Sequence, residues 1–417
     1  MTVTVAVVGA GNRGRGFGEW AAAHPGRARI VAVAEPRAVR RDRFAQAHNL
    51  SPDRVFEDWR DLLGGQRIAD CVLVTTQDSM HRDPVLKAAS MGYHILVEKP
   101  LAPTEQDCRR IVRAVEEAGV IFAVGHVLRY TPYTRALKSV VDSGRLGEVM
   151  SVQHLEPVGY WHQAHSFVRG NWRNEKVSTF MLMSKSCHDI DWLQHIVGQP
   201  VARVSSFGSR SHFDAAHRPR GAADRCLDCP PQVENGCPFS AVRFYGGRLA
   251  RGNHRWPLNV IVEDFTEEAL HTALREGPYG RCVYACDNDV VDHQVAILEF
   301  AGGATATFTM TGFNEIGHRK TRVFGTKGEV EGNGETLRIF DFLTDSHETI
   351  DTTAGGPSAA GGHGGGDAGL MDAFIRAVET GDRSVILSGP QATLDSHLAV
   401  FAAERARRTG TVQTPAC

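Results

Sequence analysis

The chain lacks any long apolar run: the one at its start, Val3 to Val8, is far shorter than the roughly 20 residues a bilayer crossing needs. That start also lacks a cationic leader and a small-residue cleavage site, so a soluble, cytoplasmic protein with no membrane partner is expected. An excess of charge of either sign is missing too, with 46 Lys and Arg against 48 Asp and Glu. Without a basic block to neutralise a run of phosphates, nucleic acid is excluded as a partner. No internal repeat is visible, which removes the solenoid and propeller architectures.

A length of 417 residues exceeds the size at which one core usually stops growing, so two domains are expected. Val3 to Val8 is apolar without a polar face, as in a strand buried on both sides. A helical stretch (16–24), a second strand (29–34) and a helix (38–48) follow. Strand 71–75, helix 82–91, strand 94–97, helix 105–118 and strand 121–125 continue the alternation. Such regularity predicts an α/β domain with a doubly wound parallel sheet of the Rossmann type over residues 1–128. Beyond Arg129 one helix (133–143) precedes Val-, Thr- and Phe-rich segments at 149–157, 201–206, 291–300 and 304–311. These predict a C-terminal α+β domain, 129–417, around an open, mainly antiparallel sheet. Two stretches look inserted: 209–239, with three cysteines, and the glycine-rich 355–366. The second reads as a flexible loop or, given His363 within it, a loop that closes over substrate.

Gly9-Ala10-Gly11-Asn12-Arg13-Gly14 matches G-x-G-x-x-G directly after a strand and before a helix, the context that makes the pattern informative. Gly9 permits the turn, Gly11 lets a pyrophosphate approach the backbone, and Gly14 lets helix and strand pack closely. Asn12 and Arg13 lie at the helix start, where unpaired N–H groups and the dipole attract an anion. Glu35, at the end of the second strand, is placed to bond the adenosine ribose hydroxyls and to repel a 2′-phosphate. NAD is therefore expected over NADP, although Arg37 and Arg40 keep NADP open. Thr75, Thr76 and His81 are further candidates for the cofactor site.

Glu98-Lys99-Pro100-Leu101, Gly125-His126 through Arg129-Tyr130, and Lys185-Ser186-Cys187-His188-Asp189-Ile190-Asp191 complete a set of motifs. With the glycine loop, they make the chain resemble the glucose-fructose oxidoreductase / inositol dehydrogenase / MocA family along essentially its whole length. The resemblance implies an NAD-dependent dehydrogenase or reductase acting on a secondary alcohol or ketone of a sugar, cyclitol or glycoside. It places Glu98, Lys99, Pro100 and His126 by the cofactor, with a cis bond before Pro100. Lys99, Lys185 and His188 become the catalytic candidates. Lys99 suits an ammonium that stabilises charge on the reacting oxygen, and His188 suits a base or acid titrating near neutral pH. Asp189 or Asp191 is available to orient His188.

The position four residues before His188, an aspartate in many members of that family, is Ser184 here. Either Lys185 fills part of that role or the chemistry differs. Arg129, Tyr160, His162, Arg173, Lys185, His188 and His363 are the substrate-contact candidates. The aromatic segment from Tyr160 to Arg173 suits either stacking on a sugar ring or packing at a subunit contact.

Cys226-Leu227-Asp228-Cys229 followed by Cys237 gives C-x2-C-x7-C. The first pair has zinc-knuckle spacing. Structural zinc is expected on Cys226, Cys229, Cys237 and Cys282, with Cys286, His254 or His217 as alternative fourth ligands. Unliganded thiols and a redox disulfide are the other readings. Three functions stand at this point: the dehydrogenase, a redox-neutral glycosidase or lyase working through a transient 3-keto sugar, and a non-catalytic ligand-sensing regulator. A homo-oligomer, dimer or tetramer, is expected because an open sheet in the second domain commonly buries its face against another subunit in similar proteins.

Overall fold

A computed structural model describes residues 2–353 and 362–416, without the side chains of 362 and 363. Val3–Val8 (β1), Ala28–Ala34 (β2), Val55–Phe56 (β3), Cys71–Val74 (β4), His94–Val97 (β5) and Phe122–Val124 (β6) form the first sheet. Its order is β3-β2-β1-β4-β5-β6 and every pair is parallel. Helices cover both faces, which is why β4 is buried along its whole length instead of alternating. One face packs on Asn12–Ala23 and Gly366–Thr380 through Phe17, Ala21, Leu370 and Phe374. The other packs on Arg82–Ser90 and Glu105–Glu117 through Val85, Cys108 and Ile111. The strand order reverses between β1 and β4, and open parallel sheets take ligands outside the carboxyl ends of such strands.

The second sheet contains Val149–Pro157 (β7), Val201–Ser209 (β8), His293–Phe300 (β9), Thr305–Thr311 (β10), Lys320–Gly325 (β11), Gly328–Gly332 (β12), Thr336–Asp341 (β13) and Ser346–Asp351 (β14). Their order is β14-β13-β12-β11-β7-β10-β9-β8, antiparallel throughout except for β10 against β7. Here the strands do alternate. In β9, Gln294, Ala296, Leu298 and Phe300 are buried while Val295 and Ile297 are exposed. The buried face joins the first sheet's core in one apolar cluster that contains Val74 and Val97 alongside Phe308 and Met310.

Between β8 and β9 lies a helical insertion running from 210 to 292, much longer than the cysteine-bearing stretch expected from the sequence. It packs around its own small core of Ala241, Tyr245, Leu258, Leu270 and Leu274. Its segment 256–279 reaches the first sheet's crevice.

The two sheets are fastened by a buried ion pair. Arg129, just beyond β6, donates from Nε and Nη2 to the two oxygens of Asp191, each at 2.7 Å, and from Nη1 to the Leu387 carbonyl at 2.6 Å. Ser396 Oγ adds a bond to Asp191 at 2.9 Å. Burial raises the Asp191 carboxyl, but Arg129, His126 and Ser396 together hold the group below its usual range. Arg129→Met should therefore lower stability by about 3–5 kcal/mol, because it leaves a buried carboxylate uncompensated. Urea denaturation checks this; a loss below about 1 kcal/mol would mean the pair is dispensable.

Candidate functional site

The glycine loop is shaped for an anion. Gly9 has φ +97°, and a Cβ there would lie 2.8 Å from the Thr75 carbonyl; a Cβ on Gly14 would lie 2.0 Å from the Gly9 carbonyl. These two glycines are fixed by packing of the loop itself. Gly11 differs: a Cβ there would meet nothing nearer than Arg40 Nη1 at 4.0 Å, so this side of the loop faces the open cleft. The helix Asn12–Ala23 begins at Gly11 with no side-chain cap and no acidic residue in its first turn. Its leading N–H groups can therefore receive a pyrophosphate.

Gly9, Gly11, Asn12, Arg13, Glu35, Thr75 and Thr76 all line one large cleft. Buried Glu35 accepts from the Ala10 N–H at 2.8 Å and the Arg37 N–H at 3.0 Å, one on each oxygen. Each oxygen keeps a lone pair that could take a ribose hydroxyl. These features fit a dinucleotide. Arg13 is held by Glu98 at 2.6 Å and Asp367 at 2.7 Å, which orients it along the loop. Thr75 Oγ1 donates to the Gly9 carbonyl at 2.5 Å. The His81 ring bridges the Pro100 carbonyl at 2.8 Å and the Thr76 carbonyl at 3.2 Å, tying the turns after β4 and β5 together.

Lys99 follows β5, and its bond to Pro100 is cis. Its ammonium donates to the Ser184 carbonyl at 2.6 Å, a neutral acceptor instead of a carboxylate. Lys99 thus reaches from the first sheet to the segment that leads into helix Cys187–Val197, on which His188 is the second residue. Lys185 is not on that helix: it ends the short helix Met181–Ser184, so the chain turns between the two candidates. The Lys185 ammonium pairs with Glu156 at 2.6 Å. His188 is buried, and the His126 ring meets it edge-on, centroids 5.8 Å apart. Burial, only partly offset by Asp191, pushes His126 down to about 4, which keeps that ring neutral near physiological pH. His162 is held well below its ordinary value by burial first and then by the charges of Lys185, His165 and Lys99. Lys99, Ser184, Lys185, His126 and His188 are thus brought together at the junction of the two sheets.

Other candidates have partners of their own. Arg129 is committed to Asp191. Arg173 pairs with Asp287 of the insertion at 2.8 Å. Tyr160 is partly exposed beside Phe239, and its neighbours Trp161, His162 and His165 pack against Trp256 with centroids 4.9–5.5 Å apart. The aromatic segment thus meets the insertion of its own chain. The side chain of His363, with residues 354–361, lies outside the described residues. Asp189 faces His154 at 3.1 Å and Arg319; burial would raise its carboxyl, but these partners hold it well below the usual range.

Sequence reading missed the network behind Lys185. Glu156 also accepts from Arg319 at 2.8 Å, and Arg319 continues to Asp189. The signal was available in β7, where Val152, His154 and Glu156 share the buried face. No comparable signal existed for residues of the insertion that line the cleft.

The zinc expectation is not supported. Cys226, Cys229, Cys237 and Cys282 do line one small pocket. Among the described residues, however, no group of three or more His, Cys, Asp or Glu is arranged to hold a metal ion. Cys237, Cys282 and Cys286 pack against an apolar cluster of Phe213, Phe239 and Val283. Burial raises all three thiols. The alternative ligands are engaged elsewhere: His254 stacks on Phe265 at 4.3 Å and His217 bonds Asp214 at 2.9 Å.

The fold and this cleft define a dinucleotide-binding oxidoreductase with a separate sheet at its catalytic end. Two family models cover nearly the whole chain: an oxidoreductase family NAD-binding Rossmann fold over residues 3–126, and that family's C-terminal alpha/beta domain over 138–414. The chain belongs to the Gfo/Idh/MocA oxidoreductase family.

Among relatives, a 2,7-anhydro-N-acetylneuraminate hydratase of Mediterraneibacter gnavus is 31% identical over 282 residues, 64% of this chain and 67% of that protein. The scyllo-inositol 2-dehydrogenase (NAD(+)) of Bacillus subtilis is 29% identical over 185 residues, 43% of this chain and 50% of that one. A levoglucosan dehydrogenase solved with NADH superposes with a TM-score of 0.71 over 100% of both chains at 17% identity, a likeness of fold.

The two kinds of glycine separate in a simple test. Gly11→Val should leave the melting temperature near that of the parent while abolishing NADH binding, measured by nicotinamide fluorescence. Gly14→Ala should lower the melting temperature outright. Unchanged NADH affinity in Gly11→Val would place the cofactor elsewhere.

Proposed function

We propose that this oxidoreductase transfers a hydride between NAD and a secondary alcohol or ketone of a sugar, cyclitol or glycoside. The observation that carries the proposal is the Lys99 ammonium, fixed at 2.6 Å on the Ser184 carbonyl beside the helix that presents His188. The cofactor, when bound, accepts or returns the hydride at the nicotinamide ring. Lys99 bonds the reacting oxygen and stabilises negative charge that develops on it. His188 takes the hydroxyl proton in the oxidation direction and returns it in reduction. Lys185, oriented by Glu156, bonds a neighbouring hydroxyl, a role consistent with Ser184 standing where many relatives have an aspartate. His126, neutral by burial, and His162 supply further polar contacts.

A redox-neutral reaction is the second reading, supported by the similarity to the Mediterraneibacter gnavus hydratase. In that case a transient oxidation acidifies the neighbouring C–H, a group is eliminated or added, and the carbonyl is reduced again on the same cofactor.

We further read the protein as a cytoplasmic homo-oligomer. Phe207, Val295 and Ile297 expose 60%, 39% and 51% of their surface on adjacent strands of the second sheet, a patch that suits a second subunit. The eight described cysteines are all free, in keeping with a reducing compartment. Among the described residues no helix is long and apolar enough to cross a membrane.

Screening sugars, inositols and glycosides with NAD, and following both absorbance and product, tests the assignment. On an active substrate, Lys99→Ala should lower kcat by roughly 10²–10³-fold and His188→Ala by roughly 10²–10⁴-fold. Full activity in both variants would remove the site from the reaction. Product formed without accumulation of NADH would select the redox-neutral reading.

A further inference from the structure

The insertion between β8 and β9 brings a carboxylate to the adenosine end of the cleft. Glu263 accepts from Arg40 Nε at 3.0 Å through one oxygen and from Arg43 Nη1 at 3.1 Å through the other, while its carbonyl accepts from Arg43 Nη2 at 3.1 Å. Four residues earlier, Asn259 Nδ2 donates to Asn12 Oδ1 at 3.1 Å, at the first residue of the helix after the glycine loop. Glu263, Asn259, Arg40, Arg43, Glu35 and Gly11 all line the same cleft.

Arg40 reaches the loop from the second strand's side, its Nη1 lying 4.0 Å from where a Gly11 Cβ would stand. From the sequence alone this arginine argued for NADP, since a guanidinium beyond the second strand is a ready partner for a 2′-phosphate. In the folded protein its charge is already met. A 2′-phosphate entering here would have to displace Glu263 from two arginines and would meet two carboxylates, Glu35 and Glu263. A ribose 2′-hydroxyl carries no charge and faces no such opposition. Exposed ion pairs of this kind add little stability, so their consequence lies in the local charge.

We propose that Glu263, supplied by the insertion, determines cofactor specificity by neutralising Arg40 and Arg43 against the 2′-phosphate of NADP. This rests on the reading that the cleft holds a dinucleotide. Glu35 alone is then an incomplete selector, and the insertion completes the NAD site from outside the first sheet.

Binding of NADH and NADPH, each titrated by fluorescence to the full-length protein, tests the proposal independently of turnover. Glu263→Gln keeps the size of the side chain and removes its charge. It should tighten NADPH binding by roughly five- to tenfold, the effect of deleting one negative charge near the phosphate, and leave NADH within about twofold. Adding Arg40→Met to Glu263→Gln should abolish that gain. The proposal is overturned if NADPH affinity does not rise, if both nucleotides weaken together as for a simple latch, or if the gain survives loss of Arg40. Failure of the parent protein to bind either nucleotide would instead overturn the dinucleotide reading itself, with the proposal that depends on it.

Discussion

The buried pair of Arg129 and Asp191 governs where everything else in the site can be. Arg129 stands at the end of the parallel sheet and Asp191 on the helix that carries His188, so two bonds of 2.7 Å fix the second domain's helix against the first domain's strand ends. A bidentate guanidinium–carboxylate contact allows little rotation. Its burial makes any rearrangement that separates the partners expensive. Lys99 then meets the Ser184 carbonyl from the other side of the same junction, and His126 packs between. The proposed catalytic group thus draws on both sheets: Lys99 follows the first, and His188 stands on a helix packed beside the second.

Around this junction the polar residues sort into layers. Near the proposed reaction centre burial lowers His126 and His162, and Lys99 keeps a neutral acceptor. Behind Lys185, the chain of Glu156, Arg319 and Asp189 sets opposite charges against one another, with the His154 ring bonded to Asp189 at its end. Such a network is costly to break but well suited to holding one lysine in a fixed direction. At the far end of the cleft the same logic of matched charge recurs between Glu263 and two arginines.

Much of this was legible in the sequence because the physics was local. The glycine loop, the apolar strands before and after it and Glu35 lie within one stretch of chain, where turn geometry and strand burial leave direct marks. The alternation in β7, β9 and β10 likewise shows which face is buried. What escaped depends on contacts between distant segments. The two-residue β3 is too short for a periodic signal, and the role of helix Gly366–Thr380 on the first sheet needs the whole chain to close. Arg129 and Arg173 have the chemistry of substrate ligands, yet each is paired with a carboxylate more than fifty residues away in sequence. The cysteine spacing was read as a zinc site, but apolar packing of Cys237, Cys282 and Cys286 with Phe213 and Phe239 is a property of the folded insertion that spacing does not encode.

The proposed reaction passes hydride through a nicotinamide whose pyrophosphate would sit on the glycine loop. Isotope tracing addresses it most directly: a polyol or glycoside that supports turnover, deuterated at the reacting carbon, is incubated with the protein and NAD, and the nicotinamide is examined by mass spectrometry. The account predicts one deuterium on the nicotinamide ring, accumulating in net oxidation and transient in a redox-neutral reaction. Product formation with no deuterium ever reaching the nicotinamide would contradict it.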